Sequence, residues 1–310
     1  MGTNHARIYS EISDLVGLCD ANKDCVRPLA KKYGCESYTD YTQMLTDLRP
    51  DAVSIVVPTQ FHANVALDVI KQKIPMLIEK PIASTVKEAT SLVAASELFK
   101  VPVMVGHIER FNPVVSAAKS LLDSGAIGDV LAMRGVRVGP FTPRVKDAGV
   151  LHILAIHDLD LFQFLSGGTI HNIDCMAVQK KFSQFEDSAS VLCETDNGVV
   201  CSLEANWCSP KKVRSLTITG TKGILELDYL TQRLVLAESD GGERSVKTYS
   251  DYLLYNSVGE QRVIDVVPNE PLKLELSYFL DCVKNRAGPV PSARDGLDAL
   301  MVVELCKACI

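Results

Sequence analysis

The sequence predicts an α/β chain: a Rossmann-like parallel sheet followed by an α+β domain carrying a large, mostly antiparallel open sheet. Three observations lead there. Continuous apolar runs alternate with amphipathic stretches over the first third of the 310 residues. After about residue 108 this gives way to alternating and hairpin-forming segments. Good turn sequences then punctuate those segments, as in Asp196-Asn197-Gly198 and Gly220-Thr221-Lys222-Gly223, where Asn and Gly accept positive φ.

In chain order, the run Leu15 to Asp20 reads as a strand, and Asn22 to Tyr33 places Val26, Leu29 and Ala30 at helical spacing. The unit repeats with strand Asp51 to Pro58 before helix Phe61 to Lys71, and with "PMLIEK" before helix Thr85 to Phe99. "VPVMVGH" (Val101 to His107) is a further strand. Strands without polar alternation imply burial on both faces, as right-handed crossovers lay helices over a parallel sheet. A helix Pro113 to Leu122, a strand Asp129 to Val138 and a long helix from about Gly149 to Leu165 lead into the antiparallel runs. Helices Leu272 to Lys284 and Ala293 to Lys307 close the chain. The expected division is therefore a dinucleotide-binding domain over 1–108 and a substrate-binding and oligomerisation domain over 109–310.

Composition narrows the function. With 47% hydrophobic residues there is ample material for a core, and a net charge of −6 without a basic cluster offers no footprint for nucleic acid or an anionic membrane. No apolar run approaches a membrane span, and the polar start "MGTNHARIYSEISD" is not a secretory leader, so a cytoplasmic location is expected. The ten scattered cysteines form no CxxC pair and have no histidine at metal-ligand spacing. They read as reduced thiols, with no metal expected.

Ligands of such a sheet bind at the carboxyl ends of its strands. Asp20 closes the first apolar run, where an acid accepts hydrogen bonds from the adenosine ribose and repels a 2′-phosphate, which favours NAD over NADP. A solvated acid opening a turn with Ala21-Asn22 accounts for it equally well. "VPTQFH" (Val57 to His62) and "IEKP" (Ile78 to Pro81) close the following strands. The phosphate loop GxGxxG is not present. Gly2 could be its last glycine, with Asn4 to Ser13 as the helix facing the pyrophosphate, so that a strand and two glycines would lie upstream; an ordinary polar terminus is the alternative.

"GTNHARIYSEI", "LVGLCD", "VPTQFHANVALDVI", "IEKP", "VGHIERFNP", "GVLHILAIHDLDLF" and "NWCSPKKVRSLTITGTKGILELD", in this order, resemble the glucose-fructose oxidoreductase / inositol dehydrogenase (Gfo/Idh/MocA) family over nearly the whole chain. "GHIERFNP" and "VGPFTPRVKD" look most like its nucleotide-sugar dehydrogenases, which oxidise UDP-N-acetylglucosamine or its uronic acid at the 3-hydroxyl. The resemblance implies NAD held by Gly2, Asn4, Asp20, Pro58, Thr59, His62, Glu79 and Lys80. It implies that Lys80 hydrogen-bonds the substrate hydroxyl and stabilises its alkoxide, while His157 takes the proton. Glu79 would anchor the loop, and the family's Lys-Pro bond is often cis.

Substrate contacts are expected from Arg110, Asn112, Arg144 and Asp158, since arginine grips diphosphate or carboxylate well; an interdomain ion pair is an equal reading of each arginine. Trp207 reads as core or subunit packing, with assembly into a homodimer or homotetramer through the open sheet. His107 reads as structural and His171 as exposed or paired. One position departs from the family: Ile153 stands where most members place an aspartate four residues before the histidine. Either His157 then works without that carboxylate, or another acid such as Asp147 reaches in, or activity is reduced. A non-catalytic dinucleotide sensor, or a dehydrogenase of a free sugar or polyol, are the rival readings.

Overall fold

A computed structural model describes residues 1–141, 148–179, 184–238, 248 and 260–310. Two compact units emerge, Met1–Ile108 with Glu270–Met301, and Glu109–Asn269 with Val302–Ile310.

In the first unit, helix α1 (Gly2–Ile12) precedes the short parallel pair β1 (Gly17–Cys19) and β2 (Glu36–Tyr38). Helix α2 (Lys23–Tyr33) joins them, capped by the Asn22 side chain, which accepts from the Asp24 N–H. A second sheet has the order β3 (Val53–Ile55), β4 (Met76–Glu79), β5 (Val103–Gly106), all parallel, with α4 (His62–Lys71) and α5 (Val86–Phe99) as crossovers. Thr85 and Glu88 close a capping box on α5. Every residue of β4 and β5 is buried, as the uninterrupted apolar runs required.

Apolar periodicity does not reveal β2 or α3 (Tyr41–Leu48). The strand is three residues, two exposed and one half-buried, with no period to detect, and the helix is held at its start by Asp40, which accepts from Thr42 and Gln43. Residues 270–301 belong with this unit, not with the second as the expected boundary had it. Helix α8 (Pro271–Asn285) packs on α1, with Lys273 donating to Glu11 and Arg7 paired to Glu270. Ala293, Leu297 and Leu300 of α9 (Ala293–Ala308) enter the core around β3 to β5.

In the second unit, an eight-stranded sheet has the order β13 (Glu260–Ile264), β12 (Arg233–Glu238), β11 (Gly223–Asp228), β10 (Cys208–Gly220), β6 (Val130–Pro140), β9 (Val200–Asn206), β8 (Ser188–Thr195), β7 (Ile170–Val178). Among these described strands only the β6/β9 pair is parallel. Both anticipated hairpin turns are present, joining β8 to β9 and β10 to β11, and Gly198 takes φ +82. Helices α6 (Pro113–Asp123) and α7 (Ile156–Ser166) pack on one face. The other face presents Leu131, Met176, Leu192 and Val200 to solvent. The single long helix expected over 149–165 is instead a π turn, Leu151–Ala155, running into α7.

Candidate active site

In the first unit, the parallel register aligns the carboxyl ends of β3, β4 and β5, with Glu79 opposite Gly106. The Glu79 carboxylate is buried and accepts from two sides: His5 Nε2 lies 3.0 Å from Oε1, and the Lys80 N–H lies 3.3 Å from Oε2. Burial pushes this carboxyl up, yet the His5 hydrogen bond and the charges of His5 and Lys80 outweigh it and hold it below the usual carboxylate range. Gly106 makes the room, because a Cβ there would stand 3.2 Å from the carboxyl carbon. His5 is oriented in turn by Ser54 Oγ at 3.4 Å, to which the Tyr9 hydroxyl is bonded at 2.8 Å. Lys80 comes directly after this anchored carboxylate, half-buried, and the Lys80–Pro81 peptide is cis.

These residues fit a dinucleotide. Asp20 is exposed at the end of β1 and commits one oxygen to the Asn22 N–H at 2.8 Å, which leaves the other for a ribose. Its charge would repel a 2′-phosphate. Pro58 and Thr59 form an accessible turn after β3. Helix α1 starts at Gly2, two residues earlier than expected, because the Met1 carbonyl accepts from both the Asn4 and His5 N–H groups. Gly2 and Asn4 are exposed, and a Cβ on Gly2 would meet nothing within 4 Å. His62 differs from expectation. It is 1% exposed and its ring nitrogens each lie 2.8 Å from a carbonyl, those of Pro81 and Val57, so it staples two strand-end loops rather than lining a cofactor surface. Burial lowers its basicity.

In the second unit, His157 is the second residue of α7, which follows the π turn directly, and is half-buried. Asp158 beside it is fully buried and bonded by Arg137 Nε, while Arg137 Nη1 donates to Glu109 at 2.8 Å. Burial works against the Arg137 charge, but Asp158 and Glu109 keep the guanidinium firmly protonated. Asp158 is thus an internal counter-ion, not the substrate contact expected.

The same correction applies to Arg110 and Asn112. Arg110 donates to both Asp160 oxygens, at 2.8 and 2.6 Å, with each partner buried. Asn112 caps α6 through the Val114 N–H and donates to the Tyr229 carbonyl at 3.1 Å. Trp207 is core, its indole N–H donating to Asp187 at 2.9 Å and its ring meeting Phe141 edge-on. Arg144 and Asp147 lie outside the described residues. His152 pairs with Glu304 at 3.0 Å. Among the described residues no group of His, Cys, Asp or Glu could hold a metal ion. Sequence reasoning missed the partners His5 and Arg137. For Arg137 the available signal was a charge at a buried strand position.

The aligned ends of β3, β4 and β5, with Glu79 and Lys80 closing the middle strand, suit a dinucleotide. The family model described as "Oxidoreductase family, NAD-binding Rossmann fold" matches residues 1–107, and that of the GFO/IDH/MocA C-terminal domain matches residues 115–226. The chain belongs to the Gfo/Idh/MocA oxidoreductase family, and its cofactor is NAD. It is 28% identical to a UDP-N-acetylglucosamine 3-dehydrogenase of Acidithiobacillus ferrooxidans, over 78% of this chain and 75% of the relative. Identity is also 28% to a D-apiose dehydrogenase of Paraburkholderia graminis, over 97% and 82% of the two chains, and to a scyllo-inositol 2-dehydrogenase (NAD(+)) of Bacillus subtilis, over 94% and 84%. A solved structure of the Acidithiobacillus ferrooxidans enzyme shares the fold, with a TM-score of 0.87, 24% identity and coverage of 99% of this chain and 93% of that one.

Proposed function

We propose that the protein oxidises a secondary hydroxyl of a nucleotide-linked sugar, the 3-hydroxyl of a UDP-N-acetylhexosamine, with NAD. The observation that carries this reading is the Glu79-Lys80 pair at the end of β4, where a buried carboxylate fixed by His5 sets the lysine at the strand terminus. The likeness to a UDP-N-acetylglucosamine 3-dehydrogenase supports the choice of substrate.

In this reading Asp20 and the turn at Pro58 and Thr59 hold the cofactor, with Glu79 fixing the loop beneath it. Lys80 donates a hydrogen bond to the substrate hydroxyl and stabilises the negative charge that grows on its oxygen. His157 accepts the hydroxyl proton, acting as general base without an aspartate at 153. Bound NAD supplies the acceptor for the hydride, so the products are a keto sugar, NADH and a proton. The apolar patch on the sheet's outer face supports assembly as a homodimer or homotetramer through that sheet. No helix among the described residues is long and apolar enough to cross a membrane. The reading places the enzyme in the cytoplasm, which cell fractionation checks.

The substrate is tested by following NADH formation with UDP-N-acetylglucosamine, D-apiose and myo-inositol as alternatives. The nucleotide sugar should give the highest kcat/KM, and UDP should compete with it. Turnover of a free sugar or polyol alone, insensitive to UDP, would assign the site to that class instead.

A further inference from the structure

The end of α9 carries Cys306-Lys307-Ala308-Cys309, a C-x-x-C sequence, which corrects the expectation that the cysteines form no such pair. Both cysteines belong with the second unit. The Cys309 N–H donates to the Cys306 carbonyl at 3.2 Å, so the two side chains leave one tight turn. Cys309 is exposed, whereas Cys306 is 0% exposed. The Cys309 thiol donates to the carbonyls of Leu305, at 3.4 Å, and Ile173, at 3.6 Å, which lays this turn against β7.

Two residues on from Ile173, Cys175 is buried on β7, and its thiol shares a hydrogen bond with that of Cys306. Three sulfurs on two elements therefore run from the surface inward, Cys309, Cys306 and Cys175. The hydrogen bond makes the buried two unequal: it lowers Cys175 below the usual thiol value and, together with burial, raises Cys306. Cys306 is thus the donor and Cys175 the readier thiolate. Cys193 and Cys201 form a second buried pair, in register across β8 and β9, but neither has a cysteine three residues away.

We propose that Cys309, Cys306 and Cys175 are a site of oxidative modification, a thiol relay that meets hydrogen peroxide at the surface and stores the oxidation as a buried disulfide between Cys306 and Cys175. The Cys309 sulfur attacks the peroxide O–O bond, giving Cys309 sulfenic acid and one water. The Cys306 sulfur then displaces the sulfenic oxygen, which leaves as a second water with the Cys306 proton, and the Cys306–Cys309 bond forms. The Cys175 thiolate attacks Cys306 Sγ, the Cys306–Cys309 bond breaks, and Cys309 leaves as a thiolate that takes up the proton Cys175 has lost. In sum, Cys306 and Cys175 give up two electrons and two protons, the peroxide is reduced to two waters, and Cys309 is regenerated. The product ties the end of α9 to β7, and a dithiol reductant reverses it.

The test treats the reduced, full-length chain with a small excess of hydrogen peroxide, blocks the remaining thiols in denaturant and maps the linked peptides by mass spectrometry. The native protein should lose the mass of two hydrogens and yield one bridge, Cys175–Cys306, which dithiothreitol removes, while Cys193 and Cys201 are recovered as free thiols. Cys309→Ser should slow formation of that bridge about tenfold or more, since the two sulfurs left are buried. Cys175→Ala should halt the relay at a Cys306–Cys309 bridge, and Cys175→Val replaces it should the alanine variant melt early. The exposed Cys309→Ser and the mapping of the native protein decide the matter even where both buried variants fail to fold. No bridge, oxidation confined to Cys309, a lasting Cys306–Cys309 bridge in the native protein, or a Cys193–Cys201 bridge in its place would overturn the relay. A Cys175–Cys306 bridge that forms at the native rate in Cys309→Ser would do the same.

Discussion

The Glu79 carboxylate illustrates how little separates a supported strand-end loop from a liability. A buried carboxylate is tolerable only with partners, and here the principal one is an imidazole 74 positions away in the chain. His5→Ala should therefore cost about 2–3 kcal/mol, the penalty of stranding a buried charged acceptor. The sign with pH comes from the lowered folded-state value of Glu79: its stabilising contribution is complete above the ordinary carboxylate range and is lost as pH falls through that depressed value. In His5→Ala acid unfolding should begin at higher pH, read by thermal melts across the acid range, with kcat falling more than the affinity for NAD. Unchanged acid stability would remove His5 from its positioning role. Lys80 was legible because opposite charges closing an apolar run are conspicuous. His5 was not, since a lone helix histidine gives no sign of which distant carboxylate it meets. Arg110, Asn112 and Asp158 carried the right chemistry for substrate contacts but found internal partners first, and sequence does not show which way a side chain turns.

At the scale of elements, buried strands, amphipathic helices and the two hairpins were readable because period and turn chemistry agree there. The π turn was not, because one added residue per turn leaves the apolar pattern almost unchanged while re-aiming the helix beyond it. The same strand periodicity that buries one face of the large sheet leaves Leu131, Met176, Leu192 and Val200 outward, at 50%, 80%, 51% and 46% exposure. A soluble monomer seldom leaves such a patch uncovered. Met176→Glu with Leu192→Lys should convert the assembly to monomers in analytical ultracentrifugation while each chain keeps its melting behaviour. An unchanged sedimentation coefficient would place the subunit contact elsewhere, and a native monomer would dismiss the contact.

For the molecule as a whole, the division of labour arises from two different sheets. The parallel strands of the first unit deliver polar groups to one aligned edge, suited to a cofactor; the mostly antiparallel sheet of the second backs the helix that carries His157. The central claim is that Lys80 serves the chemical step rather than the folding of its loop. It is tested most directly by measuring NADH formation and NAD affinity together in Lys80→Ala. The account predicts a loss of about 10²–10³-fold in kcat, as for removal of a donor to a developing oxyanion, with the Kd for NAD within about threefold of native. Turnover near the native rate in that variant would contradict it.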